Sequence, residues 1–411
     1  MGLEPIESLL EALGHPERGF SVIHIAGSKG KGSTALLVES VLRGCGRRVG
    51  TFTSPHLERW TERFRVDGRE VAGERLVAAV NRVRPHVEDL RQRAKHIPSF
   101  FDATTAVAWC LFEEAQVEHV VLEVGLGGRL DSTNAVVPVV TCITSIELEH
   151  TDKLGDTLAA IATEKAGILK PGVPAVVGPL PSEAMEVVER KAHALGAPLS
   201  RLGSEIELRV RGDGTEAVRE LRVRDGELRI EARLPLLGSH QAANAALAIA
   251  CAKRALKGEV ATQVLAAAAA SALASTNLPG RIEVLREAPR VLIDSAHTEA
   301  SAKSLAQVLE AQVGRVHLVL SISADKDVAV LLDVLLPHAA HVTVTRADRH
   351  RSMDAQALAD LVCSCTGAPV DAEPEPEVAL RTAYAALREN DVLCVAGSFY
   401  LAGIARRVLG D

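Results

Sequence analysis

Short, nearly uninterrupted apolar runs alternate with helix-period segments along most of this chain. The runs FSVIHIA (20–26), HVVLEVG (119–125), VVTCITSI (139–146), PAVVG (174–178), RVLIDSA (290–296), VHLVLSI (316–322), HVTVT (341–345) and DVLCVAG (391–397) predict strands buried on both faces. Between them, STALLVESVLRG (33–44), DTLAAIATEKAGIL (156–169), SAKSLAQVLEAQ (301–312) and MDAQALADLVCSC (353–365) space their apolar residues at the helical period. Alternation of this kind predicts an α/β fold with parallel, doubly wound sheets. One section breaks the rhythm. Residues 205–234 alternate with period two and carry Asp-Gly pairs at 213–214 and 225–226, which predicts antiparallel hairpins.

An Ala-rich helical segment ends near STNLPGRIEV (275–284), a Pro-Gly pair follows, and a new strand begins. The expected domains are therefore 1–277, an N-terminal nucleotide-binding α/β domain containing the antiparallel section, and 278–411, a smaller Rossmann-like α/β domain. A length of 411 residues suits two domains.

Composition narrows the function classes. The net charge is −7, so the basic excess of a nucleic-acid binder is missing. The cysteines, Cys45, Cys110, Cys142, Cys251, Cys363, Cys365 and Cys394, form no C-x-x-C pair, which fits reduced thiols in a cytosol. The start, MGLEPIESLLEALGHPE, lacks a basic n-region, and Ile6 breaks the myristoylation pattern. The apolar VLAAAAASALA (264–274) is too short and Ala-rich to span a bilayer. These features predict a soluble, cytoplasmic protein with no membrane or nucleic-acid partner.

The richest chemistry lies in HIAGSKGKGSTA (24–35), between a predicted strand and a predicted helix. Backbone N–H groups and a helix N-terminus at the carboxyl end of a strand attract anions. Gly27, Gly30 and Gly32 let the backbone approach phosphate, with Ser28 and Lys29 completing the loop. Lys31 would meet the β- and γ-phosphates, and Ser33 or Thr34 would offer a hydroxyl to Mg²⁺ or cap the helix. The competing reading is an ordinary strand-to-helix turn with Ser33 as its N-cap. The common phosphate-loop pattern G-x-x-x-x-G-K-[ST] fails here at Ile25 and Gly32.

That departure is itself informative, because AGSKGKGST resembles the AGTNGKGS-type loop of the Mur ligase superfamily, with one residue between Lys and Ser/Thr. Further blocks narrow the resemblance to the folylpolyglutamate synthase and dihydrofolate synthase family. They are TFTSPHLERWTERFRVDG (51–68), LEVGLGGRLDSTNAV (122–136), TSIELEHTDKLGDTLAAIATEKAGIL (144–169), LPLLGSHQAANAALA (234–248), PGRIEV (279–284), DSAH (294–297), ADKD (324–327) and AGSFYLAG (396–403), in the family's order. The resemblance implies an ATP- and Mg²⁺-dependent, monomeric amide ligase joining L-glutamate to a folate or to dihydropteroate through an acyl phosphate. It implies Lys31, Glu123, His150 and Lys165 as the catalytic set. Glu123 is the implied principal magnesium ligand, joined by Ser33, Ser54 and His150.

Composition alone makes Lys165 a surface lysine; the resemblance implies a carbamylated one, with its charge reversed. Glu164 beside it would point elsewhere, since adjacent helical positions diverge by roughly 100°. Asn244, on a helix opened by His240 and Gln241, is implied in ATP binding, Arg281 on phosphate, and Asp294 and His297 on the ribose. Phe101, Asp102, Thr104 and Thr105 in FFDATTAVAW match the segment that lines the pterin side; Phe100 or Phe101 would stack on the ring or simply fill the core.

The sequence departs from the family pattern in several places. Ser28-Lys29 stands for Thr-Asn, Thr298-Glu299 follows DSAH where Asn-Pro is common, Asn277-Leu278 replaces a tryptophan, and the leader is short. A Mur-type ligase of a non-folate acid therefore stays open, as do a P-loop kinase or nucleotide hydrolase and a silent nucleotide-binding regulator. The retained Lys31, Glu123, His150 and Lys165 argue against silence.

Overall fold

The computed structural model describes residues 2–93, 96–212 and 218–410. The Asp-Gly pair expected to turn the chain at 213–214 lies outside the described residues. The chain divides into two compact units, one comprising residues up to 211 with 220–234 and 241–276, the other comprising 212–219, 235–240 and 277 onward.

The first unit is built on eight strands: β1 (Ser21–Ala26), β2 (Val49–Phe52), β3 (Phe64–Val66), β4 (Arg69–Glu70), β5 (His119–Glu123), β6 (Val140–Ile143), β7 (Ala175–Val177) and β8 (Leu199–Arg201). They lie in the order β4-β3-β2-β5-β1-β6-β7-β8. From β2 to β8 all neighbours run parallel, and β3 and β4 add an antiparallel edge. Strand β1 is central, with Val22, Ile23, Ile25 and Ala26 buried. Its neighbours, β5 and β6, both come later in the chain, which opens a crevice beyond the carboxyl end of β1 where the connections diverge. The phosphate-loop sequence leaves β1 at that end.

Helix Lys31–Gly44 follows and buries Leu37, Val38, Val41 and Leu42 at helical spacing. Helix Phe100–Ala115 supplies Trp109 and Phe112 to a core shared with Phe52, Phe64, Val120 and Leu122. A second cluster joins Ile143 and Val177 to Ile161, Ile168 and Val188 from the helical side. Three further strands, β9 (Ile206–Arg211), β10 (Arg219–Asp225) and β11 (Leu228–Leu234), form an antiparallel sheet in the order β11-β10-β9. Strands β10 and β11 alternate buried and exposed at every residue, as their period-two sequence requires. Gly226 turns the chain between them with φ +60°.

The second unit carries β12 (Glu283–Glu287), β13 (Arg290–Ile293), β14 (Val316–Leu320), β15 (His341–Val344), β16 (Val370–Ala372) and β17 (Val392–Ala396) in the order β12-β13-β17-β14-β15-β16. Only β12 is antiparallel. Leu292, Leu318, Leu320 and Val342 face one layer of helices, and Val291, Ile293, Val319 and Leu393 face the other. Both units thus have the α/β, parallel-sheet architecture that the hydrophobic pattern predicted. The Ala-rich 264–274 segment lies within helix Thr262–Ser275. Among the described residues no helix is long and apolar enough to cross a membrane.

Candidate active site

The loop after β1 is held open by glycine geometry. Gly27 has φ +150° and Gly30 has φ +81°, and a Cβ on either would collide, with the Thr144 hydroxyl and the Asn244 amide respectively. Gly30, not Ser33, is the residue preceding the helix, which begins at Lys31. The N-cap alternative for Ser33 is therefore wrong: Ser33 sits buried in the first helical turn. The first-turn amides of a helix have no carbonyl of their own to bond, so this turn is a ready anion site. The loop is anchored from below by 144–147: Ser28 N donates to Ser145 O (2.8 Å), Lys29 N to Ser145 Oγ (2.9 Å), and Glu147 N to Ser28 Oγ (3.0 Å). Lys31 folds back, its Nζ donating to Gly27 O (2.8 Å) and Ser28 O (3.3 Å). Gly30→Ala is expected to cost at least tenfold in ATP affinity, because the new methyl displaces Asn244 and strains a left-handed position. Calorimetric titration with a non-hydrolysable ATP analogue checks it.

Charged groups crowd around that loop. Glu123 ends β5 buried, and its Oε2 accepts a hydrogen bond from Ser54 N at 2.8 Å. Gly32 lies against the same carboxylate: a Cβ there would stand 3.4 Å from Oε2. Lys165 is only 2% exposed, so the surface lysine that composition suggests is not what the fold makes. Helix Leu158–Lys165 turns Ile161 and Lys165, four residues apart, inward together. Glu164 points out, to Arg129 at 2.8 Å. Lys165 Nζ donates to Gly27 O (2.9 Å) and to Glu149 Oε1 (2.8 Å).

Burial, assisted by the nearby Lys31 cation, lowers the Lys165 ammonium to about 8 against the opposing pull of Glu149. Burial works to raise Glu149, but Lys165 and Lys31 outweigh it and hold the carboxyl below its ordinary value. Glu147, more weakly compensated, is pushed up by burial. His150 stands exposed with φ +48°, just before the short helix Thr151–Leu154.

Beneath the loop runs a chain of buried polar groups that the sequence did not single out as a unit. Thr34 Oγ1 donates to Asn244 Oδ1 at 3.5 Å, and Asn244 Nδ2 donates to Gln241 Oε1 at 2.9 Å. Gln241 is fully buried. The i, i+3 spacing of Gln241 and Asn244 was the available signal.

In the second unit, the predicted ribose and phosphate residues come together beyond β13. Asp294 accepts from Ile282 N and Ala296 N, each at 2.7 Å, so its carboxylate pins two turns. His297 Nδ1 bonds Ser295 O at 2.8 Å, and an Arg281 guanidinium nitrogen donates to Ser295 Oγ.

The residues matched to the pterin side are mostly occupied within their own helix. Asp102 accepts from Ser99 N (2.8 Å), Ser99 Oγ (2.6 Å) and Ser132 Oγ (2.6 Å), forming a capping box for helix Phe100–Ala115. Thr104 Oγ1 donates to Phe100 O at 2.7 Å, and Thr105 is fully buried. Phe101 packs against Phe52 (5.9 Å between rings) and Gly125, while Phe100 is exposed beside Trp60. Asp102→Ala is expected to destabilise the fold by about 2 kcal/mol through the lost cap and the stranded Ser132, read as a lower midpoint in urea.

Residues 92–252 match the Mur ligase middle domain and residues 280–399 the Mur ligase glutamate ligase domain, so the fold is that of a Mur-type ligase. A dihydrofolate synthase/folylpolyglutamate synthase of Bacillus subtilis is 34% identical over 99% of this chain and 95% of its own length. A Haloferax volcanii protein, a probable bifunctional folylpolyglutamate synthase/dihydropteroate synthase, is 36% identical over 98% of this chain, which spans only 48% of that relative. Among solved structures, Mycobacterium tuberculosis folylpolyglutamate synthase complexed with ADP and AMPPCP superposes with a TM-score of 0.90 at 34% identity, covering 100% of this chain and 96% of that one. This chain belongs to the folylpolyglutamate synthase/dihydrofolate synthase family of ATP-dependent ligases.

Proposed function

We propose that this protein adds L-glutamate to a folate, with dihydropteroate as a second acceptor. The observation that carries the reading is the glycine-shaped loop on β1, with the Lys31 and Lys165 amines and the Glu123 carboxylate packed around it. Support for the acceptor comes from the relatives' names and from an Escherichia coli FolC structure in complex with DHPP and ADP, alike at TM-score 0.86 and 32% identity.

In this reading the γ-phosphoryl group of ATP passes to a substrate carboxylate, giving an acyl phosphate and ADP. The glutamate amine then attacks the acyl carbon, the C–O bond to phosphate breaks, the amine loses a proton, and an amide and phosphate leave. Lys31 and the first turn of helix Lys31–Gly44 hold the phosphates and Asn244 fixes the loop from below, while Arg281, Asp294 and His297 keep the nucleotide roles that the family resemblance implies. Phe101, Asp102, Thr104 and Thr105 act on the pterin side by shaping the helix start and its packing.

Mg²⁺ is the implied cation, and the donor set fits it. Among the described residues no group of three His, Cys, Asp or Glu side chains gathers into a cage. Mg²⁺ needs none, since it is commonly held by one or two carboxylates with phosphate oxygens and water. Glu123 would be the carboxylate, with Ser33, Ser54 and His150 as the further donors that the family resemblance implies. When bound, the ion supplies countercharge to the phosphates. Lys165, with its pKa lowered to about 8, holds a minor fraction of neutral amine near neutral pH and is the group that CO₂ would carbamylate.

The test is direct. Purified protein with ATP, Mg²⁺ and labelled glutamate is offered tetrahydrofolate, dihydropteroate or neither, and products are weighed by mass spectrometry. Glutamate adducts on tetrahydrofolate are expected. Folded protein that binds ATP yet forms no adduct on either acceptor overturns the reading in favour of a non-folate ligase or a kinase.

A further inference from the structure

Strands β13 and β17 are parallel neighbours, with Ile293 opposite Val395, so the turns after them emerge side by side. Asp294 N donates to Val395 O at 2.9 Å, which locks the two turns together. After β17, Gly397 takes φ +96° so close to Ser321 O that a Cβ would stand 2.7 Å from it. Ser398 then caps the last helix, its Oγ accepting from Tyr400 N at 3.1 Å. This fixed turn delivers Phe399, half-buried, into the cluster formed by Arg281, Ser295 and His297. The Arg281 guanidinium carbon lies 4.8 Å from the centre of the Phe399 ring. The His297 ring centre is 5.5 Å from the same ring, tilted by 49°.

We propose that Phe399 is a positioning residue for nucleotide binding, its ring holding the Arg281 guanidinium in the orientation that meets the phosphates of a nucleoside triphosphate and the His297 imidazole in the one that meets the ribose. The inference rests on the reading of Arg281 and His297 as nucleotide contacts. Arginine has several rotatable bonds, and its free chain samples many directions. The ring face attracts the cation electrostatically, while Ser295 Oγ fixes one guanidinium nitrogen in the plane above it. Ser295 O fixes His297 through Nδ1, and the imidazole packs against the Phe399 ring, 5.5 Å between centres. A guanidinium held over the ring enters the complex with less rotamer freedom left to lose.

The test uses the full-length chain and four variants: Phe399→Leu, Phe399→Tyr, Arg281→Ala, and Arg281→Ala with Phe399→Leu. The measurements are KM for ATP, kcat, dissociation constant for AMPPCP, and melting temperature. Phe399→Leu is expected to raise KM and the dissociation constant roughly three- to tenfold, with kcat and melting temperature close to wild type. Phe399→Tyr, which keeps the ring, restores affinity. In the Arg281→Ala background, Phe399→Leu adds a smaller loss, only the part that acts through His297, because the cation it positions is gone. Equal losses with and without Arg281, or unchanged affinity in Phe399→Leu, overturn the proposal alone. Unchanged affinity in Arg281→Ala overturns the underlying nucleotide assignment, and the proposal with it.

Discussion

Glu123→Gln is expected to lower ligation at least a hundredfold while leaving the fold intact. The substitution is nearly isosteric and keeps an oxygen able to accept the Ser54 N–H. What disappears is a full negative charge beside Gly32 and the phosphate loop. Burying a carboxylate is costly, so an amide in the same buried place leaves stability unchanged or raises it. Catalysis should respond in the opposite direction, because the proposed cation would lose its one buried carboxylate and a loss of countercharge is felt most in the transition state. The measurement is glutamate incorporation across a magnesium titration, alongside thermal melting. Wild-type turnover in Glu123→Gln would remove Glu123 from the metal site. A collapsed melting temperature would make it a structural residue instead.

The parts of this site that were legible in the sequence are those dictated by backbone chemistry. The β1 strand, the glycine loop and the following helix are written as an apolar run, three glycines and a helical period, and the structure has them in that order. Strand-end Glu123 was likewise readable from the length of its apolar run. What the sequence hid depends on which helix face the core selects. Lys165 reads as polar surface because nothing local says that helix Leu158–Lys165 buries the Ile161 side. Gln241 is an ordinary helix-start amide until Asn244 and Thr34 are seen to continue its hydrogen-bond chain. The role of Asp102 as a cap was available from Ser99 three residues earlier. Short strands such as β3 and β4 have too few residues to express a period.

Lys165→Met is the second substitution expected to remove most of the activity, and it carries a pH signature. The Lys165 amine lies against Glu149 and the Gly27 carbonyl, and burial with the Lys31 cation lowers its pKa from 10.5 to about 8. The unfolded chain therefore holds this proton more tightly than the folded one. Below pH about 8 both states are protonated, and folding bears the whole cost of burying the ammonium. Between about 8 and 10.5 the folded state has released the proton and the unfolded state has not, so stability rises with pH through that window. Above it both are neutral. The difference in unfolding free energy between wild type and Lys165→Met should climb with pH across the same range, by a few kcal/mol at most, and a flat difference would show that Lys165 titrates normally.

Activity supplies the second half of the argument. A lowered pKa leaves a usable fraction of neutral amine near pH 7.5, and that form can take up CO₂, forming an N–C bond and releasing one proton. The product is an anion lying near Lys31 and Lys29, whose cations would offset the charge that the reaction introduces. Wild-type protein is expected to lose ligation in CO₂-depleted buffer and regain it with bicarbonate, with a carbamate carbon signal in labelled bicarbonate. Lys165→Met should show neither the signal nor the recovery. Full activity in CO₂-free buffer, with the amine intact by mass, would leave Lys165 as a cation tethering Glu149 to the phosphate loop.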